Sequence, residues 1–158
     1  MNDAVAQTAG ALTAARVRFE LIPHRRTTSA GAEARALGVQ PAAIGKTIVV
    51  RADRRRIRVV VPASRRLDLR KLARVTGTRT VLLTEAELAE QFPGYELGAV
   101  PPFGGGDDCV LLDAALAEEP SVIVEAGSHE VSLRLAPRDL VVVANAQIAD
   151  VADDPAYP

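Results

Sequence analysis

Three short stretches hold the residues able to do chemistry: "IGKTIVV" around Lys46, "GYELGAVPPFG" over 94–104 and "EAGSHEV" over 125–131. Lys46 and Lys71 are the only lysines in a chain that otherwise draws its positive charge from arginine. An ammonium is a compact point charge with an adjustable pKa, whereas a guanidinium is a planar fork that stays protonated. A lysine kept at the mouth of an apolar β run therefore suits a reactive centre. Its plainer reading is an edge cation whose stem packs while its head reaches water.

In "GAVPPF" the backbone N–H groups of Gly98, Ala99 and Val100 can be presented to a developing oxyanion. Pro101 and Pro102 stiffen such a loop and bring no donors of their own, and Phe103 closes it. Read as structure alone, the two prolines only rigidify a turn. In "AGSH", Gly127 supplies freedom for a strand turn and Ser128 and His129 supply polar groups, although a single turn histidine is commonly just a solvated side chain. His24 in "LIPHRR" has a weaker claim, and "GGGDD" over 104–108 reads as a flexible tip. Cys109 opens the apolar run "CVLLD" and reads as a buried strand residue.

One cysteine and two histidines make no spaced metal-ligand motif. The chain has no P-loop, no dinucleotide fingerprint and no G-x-S-x-G elbow, so no metal or cofactor is expected. With 3% aromatics and no tryptophan, a broad base-stacking platform for single-stranded nucleic acid is not expected. The net charge of −1 conceals an asymmetry: residues 16–79 carry 17 of the 19 basic side chains and 4 of the 20 acids. Such a block attracts polyanions while the acidic remainder repels them, which orients a phosphate-bearing partner; each arginine taken singly reads as a solubilising surface group.

These residues need elements to position them. At 158 residues with 48% apolar content the chain matches one domain, 1–158, able to bury a core without disulfides. Asp3 caps a first helix over about 4–15, and "VRFEL" at 17–21 alternates as a half-buried strand. Ser29 caps "AGAEARAL", closed by Gly38, and Asp68 caps "LRKLARVT", stopped by Gly77. "KTIVVRAD" and "RIRVVVP" read as an antiparallel hairpin, "RTVLL" as a strand, and Thr84 with Glu87 as a capping box. "CVLLD", "SVIVEA" and "EVSLRLA" give three more strands, the last two separated by "GSH", and Pro137 opens a final helix. The sum is an α/β fold with a mixed, partly closed β-sheet surrounded by helices. No stretch is long enough for a membrane span and the first fifteen residues lack a signal-peptide pattern, so no membrane partner and a cytoplasmic location are expected.

Taken in order and spacing, "GVQPAAIGKTIVV", "RRLDLRKLARVTGTRTVLLTEAEL", "GYELGAVPPFG", "LLDAAL" and "VEAGSHEVSLRLAPRDLVVVANAQIADV" resemble the YbaK and prolyl-tRNA-editing family of aminoacyl-tRNA deacylases. The likeness spans residues 16–152. It implies hydrolysis of the ester between a wrong amino acid and the terminal adenosine of a tRNA, by a free-standing protein or by a domain of prolyl-tRNA synthetase. It places the family's catalytic lysine on Lys46, the following threonine on Thr47, the G-x-x-P loop on Gly98 to Pro101, continuing through Pro102 to Phe103, and the glycine turn on Gly127, Ser128 and His129. Where the cysteine-clearing branch carries an aromatic residue this chain has Ala30, and where it carries an acid in the strand after the turn this chain has Ser132.

An aminoacyl ester is already activated, so its hydrolysis needs mainly orientation and oxyanion stabilisation, and no Ser-His-Asp set is required. A pocket discriminates one methylene by only about 1–3 kcal/mol, which is why small amino acids need a second, hydrolytic site. The resulting expectation is a free-standing trans-editing deacylase of mischarged tRNA, with prolyl-tRNA carrying a small amino acid as the candidate substrate. Its expected partners are the tRNA acceptor end and, as a further candidate, an aminoacyl-tRNA synthetase. Against it stand a catalytically silent module binding a nucleotide or aminoacyl-tRNA beside a synthetase, and hydrolysis of a non-tRNA aminoacyl ester.

Overall fold

Helix termini fall where capping chemistry is strongest in the computed structural model, which describes residues 2–104 and 108–155. Helix α1 (Asp3–Ala14) is capped by Asn2, whose side chain accepts the Val5 N–H at 2.9 Å. The expected cap, Asp3, is the first helical residue instead, where its charge meets the positive end of the helix dipole. Ser29 and Gly38 bound α2 (Ala30–Leu37), and Asp68 and Gly77 bound α3 (Leu69–Thr76), as the sequence indicates. The Thr84–Glu87 capping box is reciprocal and opens α4 (Glu85–Gln91). A short α5 (Ala114–Ala117) capped by Asp113 and a 3-10 turn over Pro41–Ala43 add to the expected elements; α6 (Pro137–Ala144) begins at Pro137.

The described residues form eight strands: β1 (Phe19–Pro23), β2 (Gly45–Ala52), β3 (Arg55–Pro62), β4 (Thr80–Leu82), β5 (Cys109–Asp113), β6 (Val122–Ser128), β7 (Val131–Leu135) and β8 (Gln147–Ala149). Strand β1 starts two residues later than the alternation of "VRFEL" suggests. Arg16 and Val17 are used to close α1, with the Val17 N–H donated to the Leu12 carbonyl at 3.3 Å. Strand β6 runs through Gly127 to Ser128, so the turn into β7 is His129–Glu130 and Gly127 lies at a register shift inside the ladder rather than in the turn. Strand β8 has three residues, too few for an alternation signal.

The mixed, curled sheet is drawn in two segments. Five strands run β4-β2-β3-β5-β8, with β2 antiparallel to β3 and β4, and β3, β5 and β8 mutually parallel; three antiparallel strands run β1-β7-β6. A parallel bridge between Ile44 and Ile123 joins the segments, and Val60 and Leu112 of one share a core with Val124 and Leu133 of the other. Gly45 stands at this junction: a Cβ there would meet Val60 at 2.7 Å and Val124 at 3.3 Å, so only glycine lets β2 pass so close to β6. The opposite face of β2 and β3 packs Val50, Val59 and Val61 against Leu72 of α3.

Two expectations are corrected here. Cys109 is in a strand but exposed, because it is the first residue of β5 at the sheet rim, while Val110 and Leu112 turn into the core. The arginine block is not uniformly a surface: Arg58 is 1% exposed. Residues Gly105, Gly106 and Asp107 of the expected "GGGDD" tip lie outside the described residues. Among the described residues no helix is long and apolar enough to cross a membrane.

Candidate functional site

Lys46 and Thr47 are neighbours in β2, so strand alternation sends their side chains to opposite faces. Lys46 is half-buried in a cleft of ≈ 340 Å³ beside Ala63, Ser64, Arg65, Arg66 and Asp153. Burial, and then the Arg66 charge, pull its pKa below the ordinary lysine value, with Asp153 opposing them. The second lysine, Lys71, is committed elsewhere: its ammonium donates to Asp150, Asp154 and the Ala152 carbonyl at 3.0, 3.1 and 2.8 Å.

Thr47 faces a second cleft, of ≈ 220 Å³, with Ile48, Leu82, Gly98 and Val100 on its walls. Its hydroxyl oxygen is buried and, among the described residues, has no hydrogen-bond partner. The backbone of Thr47 is also open. Arg51 pairs with Val81 and the Val49 carbonyl accepts from the Leu83 N–H at 3.1 Å, so odd-numbered residues of β2 point their N–H and C=O toward β4. Strand β4 ends at Leu82, and Thr47 is therefore left with donor, acceptor and hydroxyl at an unpaired edge inside an otherwise apolar cleft. Unmet polar groups of this kind carry a desolvation cost that a ligand removes.

The loop that forms the far wall is held from below. Arg58, fully buried on β3, donates to the carbonyls of Pro101, at 2.7 Å, and Gly104, and its Nε donates to Asp108 at 2.8 Å. Its guanidinium carbon, and that of Arg56, lie 4.9 and 4.3 Å from the Phe92 ring centroid. Val100 packs with Val49, Leu83 and Phe92, Pro101 and Pro102 are buried, and Phe103 enters the main core. The three expected donors divide: the Ala99 N–H is spent on the Glu96 carbonyl at 3.0 Å, whereas those of Gly98 and Val100 make no internal hydrogen bond among the described residues. Gly98 is exposed, with φ +83°, a conformation that glycine adopts without strain.

His129 clamps this loop to the β6–β7 turn. Its Nε2 lies 2.6 Å from the Leu97 carbonyl, its backbone N–H donates to Glu96 at 2.6 Å, and its ring is the nearest neighbour of a Cβ built on Gly98, at 3.5 Å. The His129 N–H, and then the Arg26 guanidinium, hold Glu96 below the usual carboxylate range. Ser128 is buried and accepts the Glu130 N–H at 3.1 Å, and Ala30 packs with Ala34, Ile44 and Ile123. The structure thus brings Thr47, Gly98 and Val100 around one cleft, with His129 behind Gly98, and leaves Lys46 and Ala30 on the other face of β2.

A group the sequence reading passed over lies on that other face. Glu33 of α2 is 2% exposed, Glu125 of β6 is partly buried against it, and Ser132 of β7 donates its hydroxyl to Glu33. His24 Nε2 stands 2.8 Å from the Ser132 hydroxyl. The available signal was an acid in each of two inward positions, Glu33 beside Ala34 and Glu125 two residues after Ile123. Of the remaining arginine block, Arg51 pairs with Glu87 and Arg56 with Asp108, while Arg54 and Arg55 form no ion pair among the described residues.

Residues 24–142 match the family described as "Aminoacyl-tRNA editing domain". The chain is 30% identical over 125 residues, 78% of this chain and 76% of the other, to a protein of Enterococcus faecalis named "Putative Cys-tRNA(Pro)/Cys-tRNA(Cys) deacylase EbsC". It is 31% identical over 118 residues, 72% of this chain and 74% of the other, to "Uncharacterized protein YwhH" of Bacillus subtilis. A solved structure described as "a putative trans-editing enzyme for prolyl tRNA synthetase" superposes with a TM-score of 0.86 at 26% identity, covering 98% of this chain and 99% of that one.

Proposed function

The chain belongs to the aminoacyl-tRNA editing domain family, and on that footing we propose that it is a free-standing trans-editing deacylase that hydrolyses prolyl-tRNA misacylated with a small amino acid. One observation carries the reading: the Thr47 hydroxyl and strand edge, unpartnered among the described residues, share a cleft of ≈ 220 Å³ with Gly98 and Val100, whose N–H groups make no internal hydrogen bond among the described residues. Apolar walls with a few unmet polar groups suit a small aminoacyl group better than a bulky or charged one. Ala30 and Ser132 stand where the cysteine-clearing branch carries an aromatic residue and an acid, which argues against cysteine as the cleared amino acid.

In this reading the ester carbonyl lies beside the loop. A water, or a hydroxyl or thiol of the substrate, adds to the carbonyl carbon, and the Gly98 and Val100 N–H groups stabilise the oxyanion. Collapse breaks the bond to the ribose oxygen of the terminal adenosine, which leaves with the proton that the nucleophile gives up. Lys46, with Arg65 and Arg66 at the neighbouring cleft, holds the adenosine and its phosphate from the other side of the β2 mouth, and the Thr47 edge fixes the aminoacyl group. Orientation of this kind is worth more than a strong base when the ester is already activated.

The test is a deacylation screen on prolyl-tRNA charged with alanine, serine, threonine, cysteine or proline, run with wild type and Lys46→Ala. Clearance of a small non-cognate ester by wild type alone, with the proline ester spared, is the expected result. Binding of aminoacyl-tRNA without turnover of any member would replace the enzyme by a recognition module.

A further inference from the structure

We propose that Glu33 and Glu125 form a clasp joined by one shared proton, and that Glu125 is a positioning residue seating α2 and the β6–β7 turn around the editing site. Its effect on turnover rests on the deacylase reading above; its effect on stability does not.

Three elements converge at the clasp. Ile44 and Ile123 form the parallel bridge between β2 and β6, so Lys46 and Glu125, each two residues further on, emerge on the same face. Glu125 is directly opposite Ser132 in the β6–β7 register, and Ser132 gives its hydroxyl proton to Glu33 on α2. On the far side of Ser132, His24 Nε2 lies 2.8 Å from the Ser132 hydroxyl oxygen and its Nδ1 lies 2.7 Å from the Arg25 carbonyl. Ser132 thus stands between His24 and Glu33, and beside it Glu33 meets Glu125 across the α2–β6 contact.

Two carboxyl groups brought together in this way, one of them fully and the other partly buried, resist ionising together. Burial first, then the charge and hydrogen bond of Glu33, and last Glu96, push the Glu125 carboxyl up to about 9. Glu96 is itself engaged by Arg26 and by the His129 N–H, and Lys46, on the adjoining strand, turns to Arg66 and Asp153. No cation among the described residues therefore neutralises Glu125, and the proton does that work. The folded chain keeps this proton between the ordinary 4.5 and about 9, where the unfolded chain has lost it, so stability is greatest at the acid end of that window and falls as pH rises through it. Loss of the proton sets two buried carboxylates against each other across the α2–β6 contact. Ala30 and Ala34 of α2 pack on Ile44, two residues before Lys46, so displacing α2 disturbs the strand mouth.

Thermal unfolding and deacylation, the latter corrected for spontaneous ester hydrolysis, are measured from about pH 5 to about pH 10 on wild type and Glu125→Gln. The amide still donates to Glu33 but has nothing to ionise. Wild type is expected to lose melting temperature steadily with rising pH and to lose roughly half its turnover near pH 9, whereas Glu125→Gln stays flat over that window and melts higher than wild type at alkaline pH. Any limb from Lys46 is common to both proteins. Parallel melting curves would overturn the shared proton. Divergent melting with identical rate profiles would overturn the positioning role. If Glu125→Gln fails to fold, Glu33→Gln, which removes the other half of the clasp, carries the same comparison. Absence of turnover in every form sinks the deacylase reading and the positioning role with it, while the melting curves still decide the proton.

Discussion

Arg58 Nε lies 2.8 Å from Asp108 Oδ2, and the two side chains are only 1% and 3% exposed. The same guanidinium holds the carbonyls of Pro101 and Gly104, so a buried ion pair fixes both ends of the loop segment that follows Gly98. Removing one partner of such a pair leaves an uncompensated buried charge. Arg58→Met is therefore expected to cost about 3 kcal/mol, with Arg56 retaining Asp108 and limiting the loss, as read by denaturant unfolding. Arg58→Lys should not restore stability, because one ammonium cannot span three acceptors set around a planar fork.

Lys46→Arg should lower kcat/KM for the cleared tRNA by about 10²-fold or more while melting like wild type, if the ammonium is needed as a point charge. Lys71→Arg is the matched control. Lys71 serves the acidic C-terminal segment, and its replacement should leave turnover unchanged. Full activity in Lys46→Arg would show that any cation suffices at this position.

For Gly98→Val the sequence alone predicts a loss of activity far exceeding the loss of stability. With φ at +83°, a β-branched residue strains the backbone whatever the loop does, so a loss of about 1–2 kcal/mol accompanies it. Gly98→Asn separates the two effects, since asparagine accepts a left-handed backbone more readily. The side chain it adds stands beside His129, and turnover should fall while the melting temperature stays within a few degrees of wild type. Proportional losses in both variants would make the loop purely structural.

Arg54 at the β2–β3 turn and Arg55 at the start of β3 form no ion pair among the described residues, unlike Arg51, Arg56 and Arg58, and so test phosphate binding by the arginine block away from the Lys46 cleft. Charge reversal of both should flatten the dependence of log affinity on log salt by roughly 0.9 for each duplex phosphate that the turn neutralises in wild type, with turnover at saturating tRNA little changed. Parallel slopes for wild type and the double variant would make this turn a solvated face.

Local chemistry was enough to place most elements. Ser29, Asp68, Thr84 and Pro137 mark helix starts by satisfying or lacking specific N–H groups, and the hairpin of β2 and β3 follows from two β-rich runs around a polar turn; neither depends on distant contacts. The ordered motifs likewise carry the family and the fold. Residues that lie far apart in sequence decided the rest. Which face of β2 meets the loop is set by β4 ending at Leu82 and by the Ile44–Ile123 bridge, so Lys46 and Thr47 could be named together but not assigned to separate clefts. Arg58 and Glu125 looked like a surface arginine and an ordinary strand acid, because burial of a charge is set by partners 50 and 92 residues distant, Asp108 and Glu33, that no local pattern announces.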